Sequence, residues 1–166
     1  MDRPRRSTAS ANRAKNQDQA REAAYRFLSF RVRSRQELSE KLLRKGFEPQ
    51  TVERTLEQLT RLGYLDDLRF AKDWVRSRMT RKGYGRELLR QELRAKGISS
   101  ELIEEAFGQE EVDEAEAARR ALEKRFPELR GGATRARQIA FQYLRRRGFP
   151  SDVILFVLKE REALGS

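Results

Sequence analysis

Apolar residues recur along this chain at helical spacing, and the pattern is written three times. Leu38, Leu42 and Leu43 fall on one face of a helix. Cations crowd its last turn, where the helix dipole favours positive charge, and Gly46 follows. The same order returns in Arg86-Glu87-Leu88-Leu89 through Lys96-Gly97-Ile98, and again in Arg137-Gln138-Ile139-Ala140 through Arg147-Gly148-Phe149. Gly46, Gly97 and Gly148 are separated by two equal steps of 51 residues (97 − 46 and 148 − 97). Leu42, Leu93 and Leu144 align, as do Lys45, Lys96 and Arg147, and Val52, Ile103 and Ile154. Equal spacing of leucine, cation and glycine is the mark of an internal repeat.

Each copy predicts a helix stopped by a left-handed glycine at C′, then a hydrophobic residue at C″ packing back on C3. The C″ residues are Phe47, Ile98 and Phe149, and the C3 residues are Leu42, Leu93 and Leu144. A second helix follows, with Pro49 at N1, Ser99 as an N-cap and Pro150 near a start. A further helix precedes the pair in every copy. It covers about 19–31 with Ala20, Ala23, Ala24, Phe27 and Leu28 on one face. In the second copy it runs from Asp66 or Asp67 to about Arg81 through Phe70, Trp74 and Val75. In the third it runs from about Glu111 to Arg125, ended by Pro127. No strand signal carries weight. The expected fold is all-α: three tandem three-helix repeats in an elongated, curved array. Residues 1–18 read as a disordered basic tail, 19–65 as repeat one, 66–110 as repeat two and 111–164 as repeat three.

Composition narrows the chemistry. The chain has no Cys and no His, which removes disulfides, thiolate catalysis, zinc clusters and the commonest general base. No catalytic residue, metal site or cofactor is expected. The paired carboxylates Asp66-Asp67 and Glu104-Glu105 read as capping and helix-surface residues, since no cationic or nucleophilic partner is spaced with them. No apolar run reaches the roughly 20 residues of a membrane span, and the amino end lacks the apolar stretch of a secretory signal. A cytoplasmic monomer is expected.

Net charge is +11, which points to a polyanionic partner. The cations are clustered. Arg69, Lys72, Arg76, Arg78, Arg81 and Lys82 crowd one helix, with Lys72 and Arg76 on a shared face. Arg86, Arg90 and Arg94 form a stripe with no column shared with Leu89 or Leu93, so they are expected to be exposed. Arg135, Arg137 and Arg145-Arg146-Arg147 make a third cluster, while Glu101–Glu116 is acidic. Exposed like charges repel unless an anion neutralises them, so three clusters on adjacent copies suggest a binding surface. Tyr84, between Gly83 and Gly85, is the aromatic residue with a candidate contact role. The other aromatics read as core.

In Gly63-Tyr64-Leu65-Asp66-Asp67, Arg69-Phe70-Ala71, Arg81-Lys82-Gly83-Tyr84-Gly85 and Glu92-Leu93-Arg94-Ala95-Lys96-Gly97-Ile98, the chain resembles the RecX family of bacterial regulators of the RecA recombinase. The resemblance spans about 20–160 and is strongest in the middle copy. It implies tandem three-helix repeats that bind in the groove of the RecA filament on single-stranded DNA. It further implies inhibition of RecA's ATPase, strand-exchange and coprotease activities. The residues expected to meet filament or DNA are Arg69, Lys72, Arg76, Arg78, Arg81, Lys82, Tyr84, Arg86, Arg90, Arg94, Lys96, Arg135, Arg145, Arg146 and Arg147. The rival expectation is a sequence-independent DNA-binding helical module acting without RecA, its arginines suited to phosphate.

Overall fold

A computed structural model describes the backbone of residues 5–110, 113–127 and 134–164, and side chains from residue 16. These residues form nine α-helices and no strand. They are α1 (Arg5–Phe30), α2 (Arg35–Arg44), α3 (Pro49–Arg61), α4 (Asp67–Ser77), α5 (Arg86–Ala95), α6 (Ser100–Gln109), α7 (Glu114–Arg125), α8 (Thr134–Arg146) and α9 (Ser151–Leu164). A π-helical turn, Arg78–Lys82, extends α4. Three helices fall to each copy, as the sequence pattern predicts. Contacts divide the chain into two compact units, one of Met1–Phe70 with Lys96–Ile98, the other of Ala71–Ala95 with Ser99–Ser166.

In the first unit, Ala23, Ala24, Leu38, Leu42, Val52, Leu56, Leu59 and Leu65 make the core. α1 reaches back to Arg5 across the stretch read as a disordered tail. Past Pro4 that stretch has no Gly or Pro to break a helix and includes three Ala and three Arg, both strong helix formers. In the second unit the core is aliphatic on α5 to α9, with Phe107 and Phe149 inside. The expected helix through Arg81 changes register instead. Thr80 Oγ1 donates to the Arg76 carbonyl at 2.7 Å, a competing bond that loosens the regular ladder. The wider turn that follows ends at Gly83, φ 62. In copy three α7 opens at Glu114, capped by Asp113 accepting from Ala115 and Glu116 N–H. Residues 111–112, where the expected helix begins, and the linker over 128–133 lie outside the described residues.

The glycine stops form as expected. Gly46 N–H donates to Leu43 O at 2.9 Å and Phe47 N–H to Leu42 O at 3.3 Å, the paired bonds of a Schellman turn. Gly148 and Phe149 repeat it on Arg145 and Leu144. α3 ends the same way, with Gly63 and Tyr64 donating to Thr60 and Leu59.

The turns do a second job. In the first unit the amino end of α2 sits on the turn at Lys96-Gly97. Ser34 Oγ donates to Lys96 O at 2.7 Å. Ser34 also heads a capping box with Glu37, a Ser-x-x-Glu signature. Glu37 accepts from Lys96 Nζ at 2.8 Å and from Arg31. In the second unit the amino end of α5 sits on Arg147-Gly148. Gly85 N–H donates to Arg147 O at 2.8 Å and Glu87 N–H to Gly148 O at 3.0 Å. The pairs Ser34–Lys96 and Gly85–Arg147 are one joint, each member 51 residues on (85 − 34 and 147 − 96). Serine reaches with its hydroxyl, whereas glycine lets the backbone itself approach. In both joints the carboxylate of the first residue of the next copy's leading helix, Asp67 or Glu114, accepts at 2.8 Å from the backbone N–H of Arg35 or Arg86.

Space decides what each glycine tolerates. A Cβ on Gly148 would lie 2.3 Å from Leu88 N, on Gly97 1.9 Å from Gln36 Oε1, and on Gly85 2.3 Å from Gly148 O, whereas on Gly46 it meets nothing within 4 Å. Gly46→Ala therefore carries only left-handed strain, about 1–2 kcal/mol. Gly148→Ala adds a backbone clash and is expected to cost roughly 3 kcal/mol or more. Gly85→Ala, without positive φ, reports the clash alone. Urea unfolding of the variants checks the order, with Gly46→Ala the mildest of the positive-φ pair.

Burial alone would raise the Glu37 carboxyl, but the hydrogen bonds and charges of Arg31 and Lys96 outweigh it and hold it at about 2. A depressed carboxyl stabilises the fold above its unfolded pKa, and that contribution fades as pH falls from the ordinary glutamate range toward 2. Glu37→Gln is expected to cost about 2 kcal/mol at pH 7. Its deficit against the parent should close as unfolding is followed down to pH 2. Burial pushes Asp67 and Glu114 the other way, upward, so the subtraction against Glu37→Gln is what isolates the joint.

Candidate functional site

The structure sorts the candidate cations into those the chain neutralises and those it leaves unpaired. Arg76 makes a two-point bond to Glu110, Nε at 3.0 Å and Nη2 at 2.7 Å. Arg90 does the same to Glu104 at 2.7 and 2.8 Å, stacked on the Phe107 ring. The hydrogen bond and charge of Arg90 hold the Glu104 carboxyl below its ordinary range. Arg86 pairs with Glu114 at 3.5 Å and lies over the other side chain at this site, Phe107. Arg145 bonds Glu87 at 2.8 Å, and Lys96 belongs to the Glu37 joint. Two-point arginine–carboxylate bonds are the strong kind, so these groups are fixed in place by their own chain.

The expectation that Arg86, Arg90 and Arg94 form one exposed stripe is therefore corrected. Arg86 and Arg90 are half-buried and paired, and only Arg94 is exposed without a side-chain partner. The reason lies in the acidic stretch 101–116. Its helices pack beside α5 and bring Glu104 and Glu114 across to it. The reading that Glu104 has no cationic partner fails for the same reason. Sequence reasoning passed over these glutamates, although arginines four apart facing an acidic helix one turn connection away are a usable signal.

Unpaired cations gather elsewhere. Arg81 and Lys82 are exposed on the π-helical turn, and Arg146 is exposed at the end of α8. Arg147 ties the two segments together: its Nη1 donates to the carbonyls of Lys82 and of Gly83, the latter at 3.2 Å. Among the described residues no carboxylate meets Arg147. It lies over the Tyr84 ring at 5.7 Å and the Tyr143 ring at 4.7 Å. Tyr84 in turn lies 5.9 Å from Arg78, which stacks on Trp74 at 4.2 Å and stands 3.9 Å from Glu92. Trp74 Nε1 donates to that same carboxylate at 2.7 Å. Rings and guanidinium planes thus alternate from Trp74 to Tyr143, and at Arg147 the arrangement holds arginine without cancelling its charge. Lys72 on α4 and Arg135 on α8 also have no side-chain partner. Neither does Arg69, whose backbone N–H takes the Asp66 cap at 2.9 Å.

This site can bind anions and stack planar groups. Among the described residues no group of three or more Asp or Glu could hold a metal ion, and no helix is long and apolar enough to cross a membrane.

Comparison with known proteins follows the same division into copies. The models of the first, second and third three-helix domains of RecX match residues 20–59, 66–106 and 111–158. The regulatory protein RecX of Prosthecochloris aestuarii is 41% identical over 134 residues, covering 81% of this chain and 87% of that protein. Its counterpart in Amycolatopsis mediterranei is 38% identical over 146 residues, covering 85% and 82%. The crystal structure of RecX from Lactobacillus salivarius superposes with a TM-score of 0.78 over 90% of this chain and 99% of that one, at 22% identity, a likeness of fold. A second crystal structure, of a regulatory protein RecX, gives 0.80 at 26% identity over 96% and 79%. Three domain matches in order and close relatives over most of the chain place it: this protein belongs to the RecX family.

Proposed function

We propose that this protein inhibits RecA by binding the groove of the RecA filament on single-stranded DNA and suppressing its ATPase, strand-exchange and coprotease activities. The name its relatives carry, regulatory protein RecX, supports a regulatory rather than a catalytic role. The observation that carries the reading is the unneutralised surface at the end of α8 and the π-helical turn, with Arg81, Lys82 and Arg146 free and Arg147 held by carbonyls and rings. Such a surface gains most from a partner that presents phosphate, because phosphate contacts release counterions. Three linked copies accumulate contacts along a repeating partner. A bound molecule that touches more than one protomer opposes the shifts that ATP turnover requires, and so inhibits without touching nucleotide. The protein acts as a cytoplasmic monomer without a cofactor.

Tyr84, held between Arg78 and Arg147, favours a second reading, direct binding of single-stranded DNA without RecA, since stacking on an aromatic ring is sequence-tolerant.

The test is RecA ATPase on single-stranded DNA titrated with this protein. The triple variant Arg81→Glu, Lys82→Glu, Arg146→Glu is expected to need roughly tenfold more protein or more for the same inhibition. A charge-reversal control elsewhere on the surface, Arg54→Glu with Arg61→Glu on α3, should inhibit like the parent. Full inhibition by the folded triple variant overturns the assignment of this face. No inhibition by the parent overturns the filament reading. Tight RecA-independent gel shifts at physiological salt establish the second.

A further inference from the structure

The joint that links copies is used twice, and its receiving half is built three times. At Gly97 and Gly148 the glycine turn is filled by the amino end of α2 and of α5. The aligned turn at the end of α2, Lys45-Gly46-Phe47, has the same left-handed glycine, φ 93, and the paired bonds also made at Gly148, and among the described residues nothing lies within 4 Å of a Cβ placed on Gly46. Its neighbours show the difference. Ile98 and Phe149 are buried, whereas Phe47 is only half covered. Lys96 bonds Glu37 and Arg147 bonds two carbonyls, whereas Lys45 is exposed and has no partner. Beside it lies an open recess of about 290 Å³ lined by Gln19, Ala23, Phe27, Phe47 and Lys45, with Arg26 and Glu22 at the rim bonded to each other at 3.4 Å.

We propose that this turn is a docking site for the amino end of a helix from another protein, one with a hydroxyl N-cap and a carboxylate in its first turn. The inference goes beyond the filament reading and does not rest on it. Both filled joints seat a helix amino end on the turn, and the first, at Lys96-Gly97, defines the chemistry of the occupant. The N-cap group donates to the carbonyl of the residue before glycine, as Ser34 does to Lys96. The first-turn carboxylate takes the cation, as Glu37 takes Lys96. The positive end of the arriving helix meets the negative carboxyl end of α2. Lys45 supplies the charge such a carboxylate needs. Extension by a second copy of this chain would use α8, the equivalent of α2 and α5. Its first turn has no acid to take Lys45: it carries Arg135, which would oppose Lys45, and Arg137, already paired with Glu162 at 3.3 Å.

The test uses the full chain, labelled for NMR, and a synthetic peptide of residues 31–44, whose Ser34 and Glu37 fill the internal joint. At millimolar peptide, amide shifts are expected at Ala23, Lys45, Gly46 and Phe47. They should vanish in Lys45→Glu, vanish with a Glu37→Lys peptide, and return when that peptide meets Lys45→Glu. Shifts that survive Lys45→Glu, shifts at Lys96 and Gly97 instead, or no shift at all overturn the proposal. So does an oligo(dT) strand that moves these amides where the peptide does not. Concentration-dependent self-association lost in Lys45→Glu would assign the site to a second copy and overturn it as well.

Discussion

The structure depends on one contact used twice: the amino end of a helix set on the glycine turn that ends its counterpart one copy later. A helix leaves donors unsatisfied at its start and acceptors at its end. At the second joint two amides of α5's start donate to the turn's carbonyls, and at the first the Ser34 hydroxyl donates to Lys96 O; in both the positive end of one helix meets the negative end of another, a favourable arrangement that needs no large apolar interface. This suits a chain in which 38% of residues are charged and only 37% are hydrophobic. The contact demands glycine on sterics as well as on φ, because a Cβ at Gly97 or Gly148 would overlap the arriving helix. Gly46 needs only the φ, because no helix arrives there.

The same economy governs the charges. Arginines near α6 and α7 are neutralised by glutamates of those helices, and the pairs bind neighbouring helices together. Pairs of this exposure contribute little each to stability, but they remove those arginines from the surface available to a partner. Of the candidate cations left without a carboxylate, Arg81, Lys82, Arg146 and Arg147 come together at the π-helical turn and the end of α8. There Arg147 is held by backbone carbonyls and by rings instead of carboxylates. Position is gained and charge is kept, the combination a phosphate-binding surface needs.

A regulator that works by binding has no need of a tuned acid or base, and the strongly perturbed carboxyl, Glu37, belongs to a joint. Its titration reports the integrity of the repeat contact. In the proposed function the weight falls instead on which cations are free and on what surface carries them. The open turn at Gly46 adds a second kind of surface, fitted to a helix end in place of a phosphate.

The sequence by itself determined most of the helix positions, the glycine stops and the 51-residue period, because each is written in the order and spacing of residues along the chain, and its motifs carried the resemblance to the family. Leu42, Gly46 and Phe47 predict a Schellman turn within six residues, and the turn forms. Local spacing misjudged the register change after Ser77, where Thr80 competes for a backbone carbonyl. Only the tertiary structure decided which arginines are free. Arg90 and Arg94 are alike in sequence, one turn apart on one helix, and differ only in that Glu104 lies within reach of the first. Likewise Lys82 and Arg147 stand 65 residues apart and meet only through a joint between copies. Charge neutralisation falls off over a few ångströms, so it depends on distances that packing sets and that spacing along the chain does not record.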